Sequence, residues 1–250
     1  VTGLTGIRLT RTMVRRLVFW FLLPVTALQG LWLRRRALRL PGAPGDRRGS
    51  CGEGEPLRLL ALGDSIIDGV GTGHVNESLP VKFAGALAEE LERRVDWQIE
   101  GQTGHTIDDV LACLASLDDA FRADVVLLSV GVNNVTGLSS TRYWRTTLTE
   151  LLDSLNRKYP GARIIFTGLP PMSMFPLPPQ PLRFSLGLRA STLDHIASTL
   201  ISDFPGASHV PTRINPAEHG FCEDGFHPSA ESCTLWAREL AAIESRRETA

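Results

Sequence analysis

Leu57-Arg58-Leu59-Leu60-Ala61-Leu62-Gly63-Asp64-Ser65 is the stretch on which the reading of this 250-residue chain turns. An apolar run of strand length breaks abruptly on Gly-Asp-Ser. In open parallel α/β sheets, ligands bind outside the carboxyl ends of the strands, so a serine at such a break faces solvent and substrate. Gly63, Gly69 and Gly71 bracket the serine and let the backbone turn tightly and approach a ligand. The same tripeptide also makes an ordinary turn and helix N-cap, so its meaning depends on the rest of the chain.

Outward from this point, strand and helix patterns alternate. Val95 to Glu100, Val125 to Val130 and Arg163 to Thr167 read as strands, with Ala207 to Pro211 as a weaker fifth. Helical apolar spacing marks Pro80 to Arg94, Thr106 to Asp119, Thr141 to Tyr159, Leu186 to Asp203 and Ser229 to Ile243. Pro80 suits a first helical turn, and Thr106 stands as an N-cap before Asp108 and Asp109. This alternation predicts a doubly wound α/β domain with a parallel sheet covered on both faces.

Three further segments follow in order. Gly101-Gln102-Thr103-Gly104-His105-Thr106 comes after the second strand, and Gly131-Val132-Asn133-Asn134 after the third. Asp224-Gly225-Phe226-His227-Pro228 lies near the C-terminus. With the Gly-Asp-Ser block, this set resembles the SGNH (GDSL-type) hydrolases, a family of esterases and lipases, over about residues 57–245. The resemblance implies a three-layer α/β/α, flavodoxin-like sandwich of about five strands. It also implies carboxylic ester hydrolysis through an acyl-enzyme, with no cofactor.

The residue types fit that chemistry. A serine hydroxyl needs a base within about 3 Å to act as a nucleophile at neutral pH, and His227 is the candidate base for Ser65. Asp224, three residues before His227 across a turn containing Gly225, can fold back on the imidazole and fix its tautomer. The bland alternative makes Asp224-Gly225 a turn and His227-Pro228 a helix start. By resemblance, the oxyanion donors are the backbone N–H groups of Ser65 and Gly104 and the side-chain amide of Asn133. Asp64 is expected to hold the loop through backbone hydrogen bonds. The family's third block usually reads Gly-x-Asn-Asp. Here Asn134 stands in the last position, which bears on substrate preference and pH profile.

The remaining histidines are His74, His105, His195, His209 and His219. His219 is the rival base, His105 could touch substrate or start a helix, and none forms a metal-ligand spacing, so no metal is expected. The four cysteines, Cys51, Cys113, Cys222 and Cys233, include no C-x-x-C pair. Cys222 and Cys233 flank the Asp-His block and read either as a bridge or as free thiols packed as small apolar groups.

A net charge of −1 conceals a division. Residues 1–50 hold ten Arg and one Asp, a net of +9, which leaves −10 on the other 200. A basic extension on an acidic domain points to an anionic surface, and nucleic acid is not expected. Residues 1–40 form this extension, with Leu17 to Leu33 an uncharged run between Arg15-Arg16 and Arg34-Arg35-Arg36. Trp20 and Trp32 lie toward its ends, and Pro24 would kink it. Three readings compete: a single membrane anchor, a cleaved signal peptide, and an interfacial helix or an extension packed on the domain. The arginine balance favours an inner-membrane tether with a cytoplasmic domain over a periplasmic or exported one. Residues 41–56, rich in Gly and Pro, read as a flexible linker to the domain at 57–245.

Leu169 to Leu182, with six prolines and Met172, Met174 and Phe175, could line an acyl pocket or pack on the flank. Trp144 reads as helix packing. A lipid-like ester such as a lysophospholipid is one substrate class. The alternatives are an O-acetyl group on a sugar or other polar carrier, and an inactive membrane-tethered adaptor.

Overall fold

The computed structural model describes residues 21–118, 120–212 and 220–248. Six strands form one sheet: β1 (Arg48–Cys51), β2 (Pro56–Gly63), β3 (Arg94–Gly101), β4 (Val125–Ser129), β5 (Arg163–Thr167) and β6 (Ala207–Val210), in spatial order β1-β3-β2-β4-β5-β6. Every neighbouring pair is parallel except β1–β3. The five parallel strands give the flavodoxin-like order, which reverses between β2 and β4, and ligands bind at that switch point.

Side-chain alternation divides the core. Leu60, Leu62, Val126, Leu128, Ile164 and Phe166 face one layer, and Leu57, Leu59, Ala61, Val125, Leu127 and Ile165 face the other. Burial on both faces explains why these strands read as unbroken apolar runs. Helices α4 (Ile107–Ser116), α5 (Val132–Thr136), α6 (Thr141–Lys158) and α7 (Leu182–Ser202) cover the first face. Helices α2 (Ser65–Asp68), α3 (Leu79–Leu91) and α8 (Ala230–Glu248) cover the second. The fold is therefore the expected three-layer α/β/α sandwich, with Trp144 buried in α6 and its indole N–H donated to Leu193 O at 3.0 Å. Thr106 starts α4, and its backbone N–H and hydroxyl both donate to Asp109, at 2.8 and 2.7 Å.

To the five parallel strands the sheet adds a sixth, antiparallel edge strand, β1. One expectation needs correction. Residues 41–56 are not a flexible linker, since they contribute β1 and the start of β2 and dock on the domain ahead of them. Ala43 is buried and its N–H donates to Asp68 O at 3.0 Å. Val75 N donates to Pro44 O at 2.8 Å, and Ile99 N to Arg47 O at 2.8 Å. Composition favours a linker here because the Gly and Pro residues serve close docking rather than mobility. At Gly42 a Cβ would lie 2.6 Å from an Asp68 carboxylate oxygen.

Part of the Leu17 to Leu33 run, including Trp20, lies outside the described residues. The rest belongs to a helix, α1, described over residues 21–36. It rests on the domain through Leu33 and through Gln29, which donates to Gln180 O at 2.8 Å and accepts from Leu182 N at 3.0 Å. No helix among the described residues is long and apolar enough to cross a membrane. All four cysteines are free thiols.

Candidate active site

The carboxyl ends of β2, β3 and β4 carry the first three blocks, one on each loop. At the end of β2 a Cβ on Gly63 would lie 2.0 Å from Ser129 O, so only glycine allows β2 and β4 this close an approach. The chain then turns into α2. Asp64 N donates to Ser129 O at 3.0 Å, and the Asp64 carboxylate caps the helix by accepting Ile66 N at 3.1 Å. These bonds set Ser65 at the first helical position.

Residues 221–228 form a tight reversal that brings the fourth block to the same place. Cys222 N donates to His227 O at 2.8 Å, Gly225 N donates to Cys222 O at 2.9 Å, and Gly225 takes φ 62° at the bend. Asp224 Oδ1 accepts the backbone N–H groups of Phe226 and His227, at 2.9 and 3.0 Å. Its Oδ2 lies 2.6 Å from His227 Nδ1. With the Nδ1 proton facing Asp224, Nε2 is left to accept the Ser65 hydroxyl at 3.0 Å. The structure thus brings Ser65, His227 and Asp224 into one hydrogen-bonded chain.

The two carboxylates of this site are driven in opposite directions. Burial pushes Asp64 up to about 7, against the opposing pull of the Ile66 N–H and of His227. Burial also works to raise Asp224, but hydrogen bonds from the His227 ring and from the His227 and Phe226 N–H groups outweigh it and hold this carboxyl below its usual range. At neutral pH Asp224 is therefore the ionised partner of the imidazole.

Gly104 lies exposed with φ 89°, and a Cβ there would meet nothing within 4 Å. Its requirement for glycine is conformational rather than steric. Asn133, on α5, donates one amide hydrogen to His105 O at 2.9 Å, which orients the amide and leaves its second hydrogen for another acceptor. Asn134 points the other way. It is 1% exposed, accepts the first N–H of α4 (Ile107) at 3.0 Å and donates to Ser139 Oγ at 3.0 Å. The residue that departs from the family pattern is thus a structural tie between two loops.

His105 lies beside Gly104 in the loop already described, and His74, His195 and His209 lie elsewhere. His74 accepts Asn76 N at 3.2 Å, and His195 lies in α7. His209 pairs with Asp194 at 2.8 Å, and Asp194 in turn accepts Leu169 N at 2.8 Å, so this second His–Asp pair anchors the start of the proline-rich loop. His219 lies outside the described residues. Among the described residues, no group of three or more His, Cys, Asp and Glu side chains could hold a metal ion.

Ile66, Val132, Pro170, Phe175, Phe226 and Pro228 close around Ser65 and His227. The free space there is about 10 Å³ for the centre of a water-sized group, which is room for about one small group. The proline-rich loop contributes Pro170 and Phe175. Met172 is fully buried and Met174 points to solvent, so the loop forms no extended apolar groove with these side chains. Phe226 stands edge-on to both Phe175 and His227, with centroids 5.1 and 5.3 Å apart. Pro170 and Phe175 belong to the loop expected as a candidate acyl wall, whereas Val132 and Phe226, each inside a motif block, were not expected as wall residues. A larger cavity of about 330 Å³ lies at the amino-terminal ends of β2, β4 and β5. There Arg58 is bound by Asp124 at 2.7 Å and Arg163 by Glu244.

The model of the GDSL-like lipase/acylhydrolase family matches residues 61–233. A GDSL-like esterase of Mycobacterium tuberculosis is 26% identical over 193 residues, which cover 72% of this chain and 59% of that protein's length. A lipase structure from a goat rumen metagenome superposes with a TM-score of 0.63 at 17% identity, over 74% of this chain and 96% of the other. An acetylxylan esterase from Geobacillus stearothermophilus superposes at 0.53 with 21% identity, over 78% and 94%. At these identities the two structures speak for the fold.

Proposed function

The chain belongs to the GDSL-like lipase/acylhydrolase family, and from that membership we propose that it hydrolyses carboxylic esters through an acyl-enzyme on Ser65, with short acyl groups preferred. The observation that carries this reading is the 3.0 Å contact between Ser65 Oγ and His227 Nε2, backed by Asp224 on the far side of the ring.

In this mechanism Ser65 Oγ attacks the ester carbonyl carbon as its proton passes to His227 Nε2. The oxyanion is received by the N–H groups of Ser65 and Gly104 and by the free amide hydrogen of Asn133. Each such donor is worth about 3 kcal/mol when preorganised. Collapse breaks the bond to the leaving alkoxide, which takes the proton from His227. Water then repeats the sequence on the acyl-enzyme, giving up a proton to His227 and releasing the carboxylic acid and Ser65. Asp224 stays ionised throughout and stabilises the imidazolium.

The acyl size follows from the walls. Val132, Pro170, Phe175 and Phe226 leave room for about one small group beside Ser65, which suits acetyl and opposes a long chain. An O-acetyl group on a polar carrier therefore fits better than a lysophospholipid.

The same proposal places the enzyme at an anionic membrane surface through α1. Phe21, Val25, Leu28, Leu31 and Trp32 are all more than half exposed or nearly so, at 84%, 50%, 70%, 56% and 53%. Arg34, Arg35, Arg36 and Arg39 follow them and are exposed. A helix that packs one face on the domain and turns a second apolar face outward, next to arginines, has the character of an interfacial helix.

Hydrolysis of p-nitrophenyl esters from C2 to C12, with Ser65→Ala as control, tests the catalytic reading. Turnover greatest at C2 and lost in the variant is expected, and turnover retained in Ser65→Ala would overturn it. Cosedimentation with vesicles containing anionic lipid, weakened by Leu28→Ser with Trp32→Ser, tests the membrane reading.

A further inference from the structure

We infer that Asp68 is a positioning residue that fixes the Gly104 loop against the Ser65 helix, and that Arg47, from the segment preceding β1, holds it in place; the inference rests on the ester-hydrolase reading above.

Asp68 is the last residue of α2, three positions after Ser65, and is 9% exposed. Its Oδ2 accepts both the hydroxyl of Thr103, at 2.6 Å, and the backbone N–H of Thr103, at 3.2 Å. Its other oxygen is bound by the Arg47 guanidinium, which also donates to Asp68 O at 3.3 Å. Gly42 closes over the carboxylate so tightly that a Cβ would lie 2.6 Å from Oδ2. From the other side, a Cβ on Gly101 would lie 2.5 Å from Asp68 N. One carboxylate thus gathers the nucleophile helix, the Gly104 loop and the docked N-terminal segment. Thr103 is held at both its backbone and its side chain by this one carboxylate oxygen.

The tie matters because of what Thr103 precedes. His105 N donates to Gln102 O at 3.2 Å, closing a turn with Thr103 and Gly104 at its centre. The Gly104 φ of 89° is the backbone that the second central position of a type II turn requires. Gly104 itself is exposed, and nothing lies within 4 Å of where its Cβ would be. The direction of its N–H is therefore set by how the turn is held at its flanks. Asp68 holds one flank through Thr103, and Asn133 holds the other through His105 O. All three proposed oxyanion donors are joined in one path: Ser65, α2, Asp68, Thr103, Gly104, His105, Asn133. Misplacement of a group by about 1 Å can cost about a hundredfold in rate. Loosening Thr103 should therefore act on the transition state more than on substrate binding.

Steady-state kinetics on p-nitrophenyl acetate, together with the rate of labelling by a fluorophosphonate, test this on the full chain. Thr103→Val removes the hydroxyl with little change in volume. It is expected to lower kcat about tenfold to a hundredfold, leave KM within about threefold, and slow labelling by the same factor as kcat. Thr103→Ser keeps the hydroxyl and should restore both. Arg47→Gln should fall between wild type and Thr103→Val, and Arg47→Lys should fall closer to wild type. A folded Thr103→Val with wild-type kcat, or with a defect confined to KM, would overturn the inference while leaving the esterase reading intact. Absence of both turnover and labelling in the wild type would instead overturn the esterase reading, and this inference with it.

Discussion

Ser65 Oγ and His227 Nε2 lie 3.0 Å apart although 162 positions separate them in sequence. Each is delivered by a short, internally braced turn. The β2–α2 break is pinned by Asp64 N on Ser129 O, and the 221–228 reversal by Asp224 on two backbone N–H groups. Among the described residues, each side chain is held by hydrogen bonds within its own turn, which keeps the reacting geometry preorganised.

Replacing Asp224 tests whether the imidazole is held in the right tautomer. Asp224→Asn can still accept Phe226 N and His227 N, so the turn should persist. An amide NH2 facing Nδ1 favours the tautomer with its proton on Nε2, where it can no longer accept from Ser65. We expect kcat to fall by about 10⁴-fold with KM little changed. A loss under tenfold would show that Asp224 does not orient the base.

Asp64 carries a pH signature in stability. Its folded pKa of about 7 lies above its ordinary value of 3.8. Its protonated form therefore contributes fully below about pH 3.8, and the contribution is lost as pH rises towards 7. Asp64→Asn keeps the oxygen that accepts Ile66 N and removes the ionisation. Its unfolding free energy, measured by urea titration, should gain on wild type as pH rises from about 4 to 7, by about 4 kcal/mol at most. A pH-independent difference between the two proteins would contradict the assignment.

Asn134 can be tested in two directions. Asn134→Leu leaves the Ile107 N–H buried without an acceptor and should cost about 1–3 kcal/mol. Asn134→Asp keeps that acceptor, and the Ser139 hydroxyl can rotate to donate instead. This variant should stay within about 1 kcal/mol of wild type and remain active. Thermal melts of both variants, read beside acetate ester turnover, provide the check.

The acyl wall should be adjustable. Val132→Ala removes two methyl groups beside Ser65 without touching the hydrogen-bonded chain. The expected result is a shift of the best p-nitrophenyl ester from C2 towards C4, with acetate kcat/KM lowered severalfold. An unchanged chain-length profile would place the acyl group elsewhere.

Much of this site is legible in the sequence because motif and element coincide. Ser65, Gly104 and Asn133 each follow an apolar run that becomes β2, β3 or β4, and in a parallel sheet those run ends meet at one edge. Asp224 and His227 are legible together because their contact is local. What sequence reading missed depends on contacts between distant segments. β1 is a polar Arg-Gly-Ser-Cys stretch without alternation, and it becomes a strand only by pairing with β3. The Gly and Pro residues of 41–47 read as a linker because their docking partner, Asp68, lies more than 20 positions away. Phe226 has no distinguishing mark inside the Asp-His block, and only the folded loop sets its ring against Phe175. Asn134 stands out in the sequence by its type, but its partner Ile107, 27 residues earlier, is visible only in the structure.

The most direct measurement is intact-protein and peptide mass spectrometry after incubation with a fluorophosphonate, in parallel with p-nitrophenyl acetate turnover. One adduct per chain on the peptide bearing Ser65, with loss of ester turnover in proportion to labelling, is predicted. Labelling at another residue, or full turnover by protein fully modified at Ser65, would contradict the assignment of Ser65 as the nucleophile.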